Sequence, residues 1–243
     1  MQFVIITGMG RSGSTFLAHL LDQSDAQEAR HEHFAGRTFL HLSYYVPDHP
    51  FLHQALRRQR DALGAKLPAG AKLVDVNPWL RYGMGVVREV LGAPPCFQLV
   101  RDGRKVVSSM YRQKSYTPEE KSLPLLPDAP ETLAAWPGWS RFERLCWLWQ
   151  RSVRGLLEQQ IPTIRLETLL EDYDYLRRHL LEPGGLALDR AVWEGLRHRP
   201  LNRGRPRLAN LLRGRAVDLR WSDDHERRFQ TICGETMAAV GYT

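Results

Sequence analysis

The sequence predicts an α/β fold, a three-layer domain in which helices flank a central parallel sheet, on three observations. Short apolar, β-branched runs alternate with segments whose apolar residues recur at helical spacing, the pattern of strands joined by covering helices. The first of these runs breaks directly into a glycine-rich turn and then a helix. The 243 residues, 43% hydrophobic and 25% charged, suit a single folded domain over 1–243 and exclude wholesale disorder. No internal repeat or low-complexity tract interrupts it.

The elements follow in order. Phe3–Thr7 reads as a buried strand, Gly8–Ser14 as the glycine-rich turn, and Thr15–Leu21 as a helix with Phe16, Leu17, Leu20 and Leu21 on its apolar face. Residues 50–66 are helical through Leu52, Leu56 and Leu63, Ala71–Val76 is a second strand, and Leu80–Leu91 a helix. Cys96–Val100 is a third strand, after which Arg101-Asp-Gly opens a helix carrying Val106, Val107 and Met110. Five prolines (118, 124, 127, 130 and 137) and little periodicity make 113–140 a lid or acceptor-binding loop. Phe142, Leu145, Trp149, Val153 and Leu156 then mark a long amphipathic helix, and Pro162–Leu166 is a fourth strand. The last helix begins near Asp223, with Glu226 three residues on as in a capping box.

Composition narrows the function classes. The apolar run Phe3–Ile6 is far too short to span a membrane, and its start lacks the basic region of a secretory leader. Three scattered cysteines, Cys96, Cys146 and Cys233, build neither a disulfide framework nor a zinc knuckle, so a reduced, cytoplasmic protein is expected. Lys and Arg total 34 against 27 acids, a formal charge of +7, and all but five of the 34 are Arg. Arg grips phosphate, sulfate or carboxylate in a bidentate fork. A GC-rich genome produces the same bias, so placement matters more than the total.

The turn after the first strand is an anion site by construction, because backbone N–H groups and the dipole at a helix start favour negative charge. Gly8, four residues, then Gly13-Ser14-Thr15 matches the nucleotide-binding P-loop except that Ser14 stands where that motif has Lys. Lys reaches the β- and γ-phosphates in triphosphate-hydrolysing proteins. Its absence points to a P-loop-type domain that binds one 5′-phosphate without triphosphate chemistry. Leu73-Val-Asp75 reads as a weak magnesium-holding strand end, and such runs are common by chance.

Gly8-Met-Gly10-Arg11-Ser12-Gly13-Ser14-Thr15 and Leu99-Val-Arg101-Asp-Gly-Arg-Lys-Val-Val-Ser-Ser109 together resemble the sulfotransferases that use 3′-phosphoadenosine 5′-phosphosulfate (PAPS), nearest the tyrosylprotein and carbohydrate sulfotransferases and their bacterial relatives. The resemblance implies that Gly10–Thr15 hold the 5′-phosphosulfate and that Arg101 and Ser109, eight residues apart as in the family, hold the 3′-phosphate. It implies Arg203 and Arg205 of a late basic loop as further ligands of that phosphate. In the tyrosylprotein group a Glu base lies 21 residues after the loop Arg; from Arg11 that is Glu32, within His31-Glu-His33. Another branch uses a His base, so both neighbours stay rivals to Glu32. A His31–His33 metal pair lacks a completing Cys or acid cluster, and no metal is expected.

Two positions depart from the family. Val74-Asp-Val-Asn-Pro78 has no Lys before the Pro, leaving Arg81 as a substitute or Arg11 alone, and Leu166 replaces a Tyr that packs against adenine. The expected activity is sulfuryl transfer from PAPS to a hydroxyl or amine of a carbohydrate, peptide or small molecule. The surplus arginines suit an acidic acceptor such as a uronate-bearing glycan. Trp136 and Trp139 are candidates for stacking on a sugar, whereas Trp149 falls on the apolar stripe of its helix. Two rivals stand beside this reading: a P-loop kinase or nucleoside-phosphate enzyme, and a non-enzymatic polyanion-binding module. No nucleic-acid partner is expected, and oligomeric state is not legible.

Overall fold

Five strands carry the structure: β1 (Gln2–Gly8), β2 (Glu28–His31), β3 (Lys72–Val76), β4 (Cys96–Val100) and β5 (Thr163–Arg165). The helices are α1 (Ser14–Leu21), α2 (Arg37–Tyr45), α3 (Phe51–Gly64), α4 (Met84–Leu91), α5 (Gly103–Tyr111), α6 (Pro130–Ala135), α7 (Arg141–Glu158), α8 (Leu166–Glu171), α9 (Tyr173–Leu176), α10 (Glu182–Gly184), α11 (Arg190–Leu196) and α12 (Asp223–Ala239). They come from a computed structural model that describes residues 1–68, 70–113, 115–120, 123–199 and 219–243. These residues form two compact units, one of 1–101 with 155–199 and one of 102–154 with the described part of 200–243.

The first unit is built on the sheet, whose strands are all parallel in the order β2-β3-β1-β4-β5. Successive strand residues point to opposite faces, and both faces are covered. Val4, Ile6, Val74, Val76, Phe97, Leu99 and Ile164 pack with α1 and with Leu176, Leu180 and Trp193. Phe3, Ile5, Leu73 and Cys96 pack with Phe34, Phe39 and the apolar sides of α3 and α4. A parallel sheet buried on both faces requires near-continuous apolar strands, which is what β1, β3 and β4 supply. The expected three-layer α/β architecture is the one observed.

The sheet has one strand more than the sequence pattern indicates. β2 reads Glu28-Ala-Arg-His31 and buries only Ala29 deeply; as an edge strand it pairs with β3 alone, so it needs no apolar run. The helix expected from Leu80 starts at Met84, because Pro78–Leu80 make a separate 3₁₀ turn capped by Asn77, whose side chain accepts from the Trp79 N–H.

In the second unit, Asp102 caps α5 by accepting from the Arg104 N–H at 2.9 Å. The segment 113–140 contains α6 and a 3₁₀ turn over Trp136–Gly138, and one face of α7 fastens it. Arg141 donates to the Ser115 carbonyl at 2.9 Å, Arg144 to that of Trp136 at 3.1 Å, and Arg151 pairs with Asp128 at 2.7 Å. The capping box of α12 is formed by Ser222 and His225 instead of by Glu226, whose carboxylate is taken up by Arg104 at 2.8 Å. Among the described residues no helix is long and apolar enough to cross a membrane.

Candidate functional site

The connection leaving β1 runs toward the β3 side of the sheet, whereas the chain leaving β4 goes on to β5 on the other side. The crevice outside the carboxyl ends of β1 and β4 is therefore the topological switch point, where ligands of such sheets bind. Residues 8–13 fill it. Gly8 has φ +152°, and a Cβ there would lie 2.3 Å from the Leu99 carbonyl oxygen. Gly13, the N-cap of α1, has φ +91°, and its Cβ would lie 2.8 Å from a Leu166 methyl group. The glycines thus let the turn lie directly on β4 and α8. Gly10, Gly13 and Ser14 are half-buried, and Arg11 and Thr15 are exposed.

Two polar atoms of this crevice are buried without a hydrogen-bond partner: Ser12 Oγ, on a residue 1% exposed, and Arg101 Nε. Arg101 directly follows β4, donates from Nη1 to the Arg11 carbonyl at 3.2 Å and has its Nε 3.9 Å from the Glu167 carboxylate. Unsatisfied buried donors are costly, and with the amides that open α1 they have the chemistry to receive an anion. Arg11 itself sits at φ +75°, a left-handed conformation that costs a non-glycine residue about 1–3 kcal/mol and clusters at functional sites.

The second strained residue is Glu32, at φ +56°. It follows the end of β2 and donates its N–H to the Val76 carbonyl at 3.2 Å. His31 Nε2 lies 2.9 Å from Ser14 Oγ, 3.4 Å from Thr15 Oγ1 and 3.7 Å from the Glu32 carboxylate. Residues 17 positions apart are thereby brought together: His31 stands at the hydroxyls that open α1, with Glu32 beside it. His33 turns the other way, with Nδ1 3.1 Å from Arg30 Nη1. Burial lowers the His31 pKa against the opposing pull of Glu32; burial and then Arg30 lower that of His33. Both imidazoles are neutral at pH 7.

Two residues hold this turn, Asp75, which the sequence suggests only as a weak magnesium-holding strand end, and Asn77, to which it assigns no role. Asp75 is 0% exposed. Its two carboxylate oxygens accept the His33 N–H at 2.9 Å and the Phe34 N–H at 3.0 Å. Asn77 donates to the same carboxylate at 2.9 Å and to the Phe34 carbonyl. Burial pushes the Asp75 carboxyl up to about 6, against the lowering effect of these hydrogen bonds. Asp75 is thus a brace for backbone amides, and its oxygens are committed in a way that a magnesium-holding strand end is not. The signal was present as an acid among the apolar residues Leu73, Val74 and Val76 of β3.

The other expected residues distribute as follows. Arg81 is buried, donates to the Pro78 carbonyl at 2.6 Å and lies over the Tyr82 ring at 4.9 Å. Leu166 is buried beneath Gly13. In the second unit Ser109 is buried on α5. Trp136 is only 7% exposed, enclosed by Tyr116, Trp139 and Trp147, so the stacking platform expected of it is instead core; Trp139 is half-buried. Trp149 is fully buried beside Phe229, as expected. Arg203 and Arg205 lie outside the described residues. No group of three His, Cys, Asp or Glu with metal-binding geometry occurs among the described residues.

No protein-family model and no curated protein matches the sequence. Solved structures do match. The sulfotransferase domain from the curacin biosynthetic pathway superposes with a TM-score of 0.57 at 13% identity, covering 100% of this chain and 98% of its own. The sulfotransferase STF1 of Mycobacterium tuberculosis gives 0.52 at 13% identity, over 80% of this chain and 70% of that one. STF9 of Mycobacterium avium gives 0.51 at 13% identity, over 100% and 77%. The chain therefore has the fold of these sulfotransferases.

Proposed function

We propose that this chain is a sulfotransferase, moving the sulfuryl group of PAPS to a hydroxyl or amine of a carbohydrate, peptide or small-molecule acceptor. The observation that carries the reading is the crevice at the end of β1, where a glycine-bounded turn without a P-loop Lys, two buried polar atoms without a hydrogen-bond partner and the Glu32–His31 pair meet. In this reading the amides of Gly13, Ser14 and Thr15, with Gly10 and Ser12, hold the 5′-phosphate. Arg101 and Ser109 take the 3′-phosphate, with Arg203 and Arg205 assigned to it by the family resemblance. The donor, as a substrate, supplies an activated sulfur bonded through oxygen to that 5′-phosphate.

The chain's own groups then account for the transfer. Glu32 accepts the proton of the acceptor O–H or N–H as its oxygen or nitrogen bonds to sulfur. The bridging sulfur–oxygen bond breaks, and its electron pair stays on the 5′-phosphate of 3′-phosphoadenosine 5′-phosphate. Arg11 stabilises the charge that develops on that leaving oxygen. Neutral His31, against Ser14 and Thr15, keeps the hydroxyls at the helix start oriented. No metal is assigned a role. The buried, free cysteines Cys96, Cys146 and Cys233 suit a reducing, cytoplasmic setting.

Thermal stabilisation by 3′-phosphoadenosine 5′-phosphate, measured beside AMP and Mg·ATP, tests the donor assignment. Ligand at a hundred times its dissociation constant stabilises by about 2.7 kcal/mol, roughly a 5–10 °C rise for a chain of this size. A rise with the 3′-phosphorylated nucleotide alone, lost in Arg101→Ala, is expected. A rise with Mg·ATP alone would favour the P-loop kinase instead.

A further inference from the structure

Glu32 keeps a left-handed backbone with no glycine to permit it, so something must hold it there. Its own N–H bond to Val76 fixes only one side of the residue. The other side is fixed by the next two amides, those of His33 and Phe34, and both end on Asp75. Each carboxylate oxygen takes one of them, so the pair reads as a two-point clamp on the turn.

The clamp is anchored in turn. Asn77 bonds to Asp75 and to the Phe34 carbonyl with one side-chain nitrogen, and its side-chain oxygen accepts from the Trp79 N–H. Its backbone N–H donates to the Ile6 carbonyl at 2.7 Å, and its carbonyl accepts from Thr7 Oγ1 at 2.9 Å. Thr7 is the penultimate residue of β1, directly before the anion-binding turn. A buried string Thr7–Asn77–Asp75 therefore ties the turn that bears Glu32 to the strand that bears the cradle.

We propose that Asp75 is a positioning residue, whose buried carboxylate locks the His31–Phe34 turn so that Glu32 is held in its left-handed conformation at a fixed place relative to the first-strand loop. Its functional meaning rests on the sulfotransferase reading, in which Glu32 is the base; the clamp itself does not. An apolar residue would fill the volume as well, but it would leave two buried amides unpaired. Asparagine is nearly isosteric, yet its amide group presents N–H donors to at least one of those N–H groups.

The test is Asp75→Asn, read by amide hydrogen exchange and by turnover of PAPS to 3′-phosphoadenosine 5′-phosphate with water as acceptor. Expected is exchange at least tenfold faster in peptides covering 31–36, with β1 and β4 peptides unchanged. Affinity for 3′-phosphoadenosine 5′-phosphate should stay within about threefold while turnover falls at least tenfold. Unchanged protection of 31–36, or loss spread evenly over the sheet, would overturn the proposal. So would a fall in nucleotide affinity equal to the fall in turnover. Should Asp75→Asn not fold, Asp75→Asn with Glu32→Gly removes the left-handed cost: recovery of folding supports the clamp, and continued failure makes Asp75 ordinary core and overturns it. Wild-type protein that neither binds the nucleotide nor consumes PAPS would sink the sulfotransferase reading, while the exchange result still decides the clamp.

Discussion

Two carboxylates brace neighbouring structure, one in each unit, and they do so in opposite electrostatic settings. Asp75 in the first unit is wholly buried, faces backbone amides and no cation, and its pKa rises to about 6. Glu226 in the second unit receives a two-pronged contact from Arg104 and a bond from Trp221 at 2.8 Å, and its pKa falls to about 2. The turn that Asp75 holds carries Glu32 in a left-handed conformation. Around Glu226 the partners satisfy one another, and Arg104 reaches the Thr243 carbonyl as well. The first carboxylate fixes a turn that carries a strained residue, and the second, paired with a guanidinium, holds α5 in place.

That contrast divides the expected effects of mutation into losses of rate and losses of stability. The largest should come from Glu32→Gln, which keeps the shape and removes the base: turnover of PAPS should fall about 10²- to 10⁴-fold with the melting temperature unchanged. Near wild-type turnover would return the role to His31 or His33. Arg11→Ala should cost about 3 kcal/mol of transition-state stabilisation, roughly a hundredfold in rate, again with the fold intact. A lowered melting temperature in its place would make Arg11 structural and erase the difference between the regions.

Gly13→Ala combines both kinds of loss, because alanine is strained at φ +91° and its methyl group meets Leu166. A destabilisation of about 2 kcal/mol in urea unfolding is expected, together with loss of nucleotide binding. Glu226→Gln should be milder, about 1 kcal/mol once solvent screening of a partly exposed pair is allowed for, and should leave turnover alone.

Acid titration sharpens the comparison, since the two carboxylates contribute with opposite sign. The folded pKa of Glu226 is depressed, so its contribution is present above about 4.5 and is lost as pH falls toward 2. That of Asp75 is raised, so its penalty is relieved as pH falls from about 6 toward 3.8. Urea unfolding at pH 7, 5 and 3 should therefore show Glu226→Gln nearest to wild type at pH 3. The smallest effect concerns the fastened segment: Arg141→Ala should raise chymotryptic cleavage after Tyr116 a few-fold, and an unchanged rate would mean that the other arginines suffice.

What was readable in the chain was what neighbours in sequence dictate. The runs of β1, β3 and β4, the turn glycines and the apolar stripe of α7 all depend on local period or local backbone freedom, and each falls where the sequence put it. The turn after β2 brings His31 to Ser14 and Thr15, with Glu32 beside His31. The tertiary structure decided the rest. β2 is polar and exists because β3 offers it an edge; Asp75 is a brace only because amides more than forty positions away end on it; Trp136 is core because three aromatic neighbours close over it. A hydrogen bond between distant residues leaves no period in the sequence, and burial that neighbouring elements impose is visible only once they have packed.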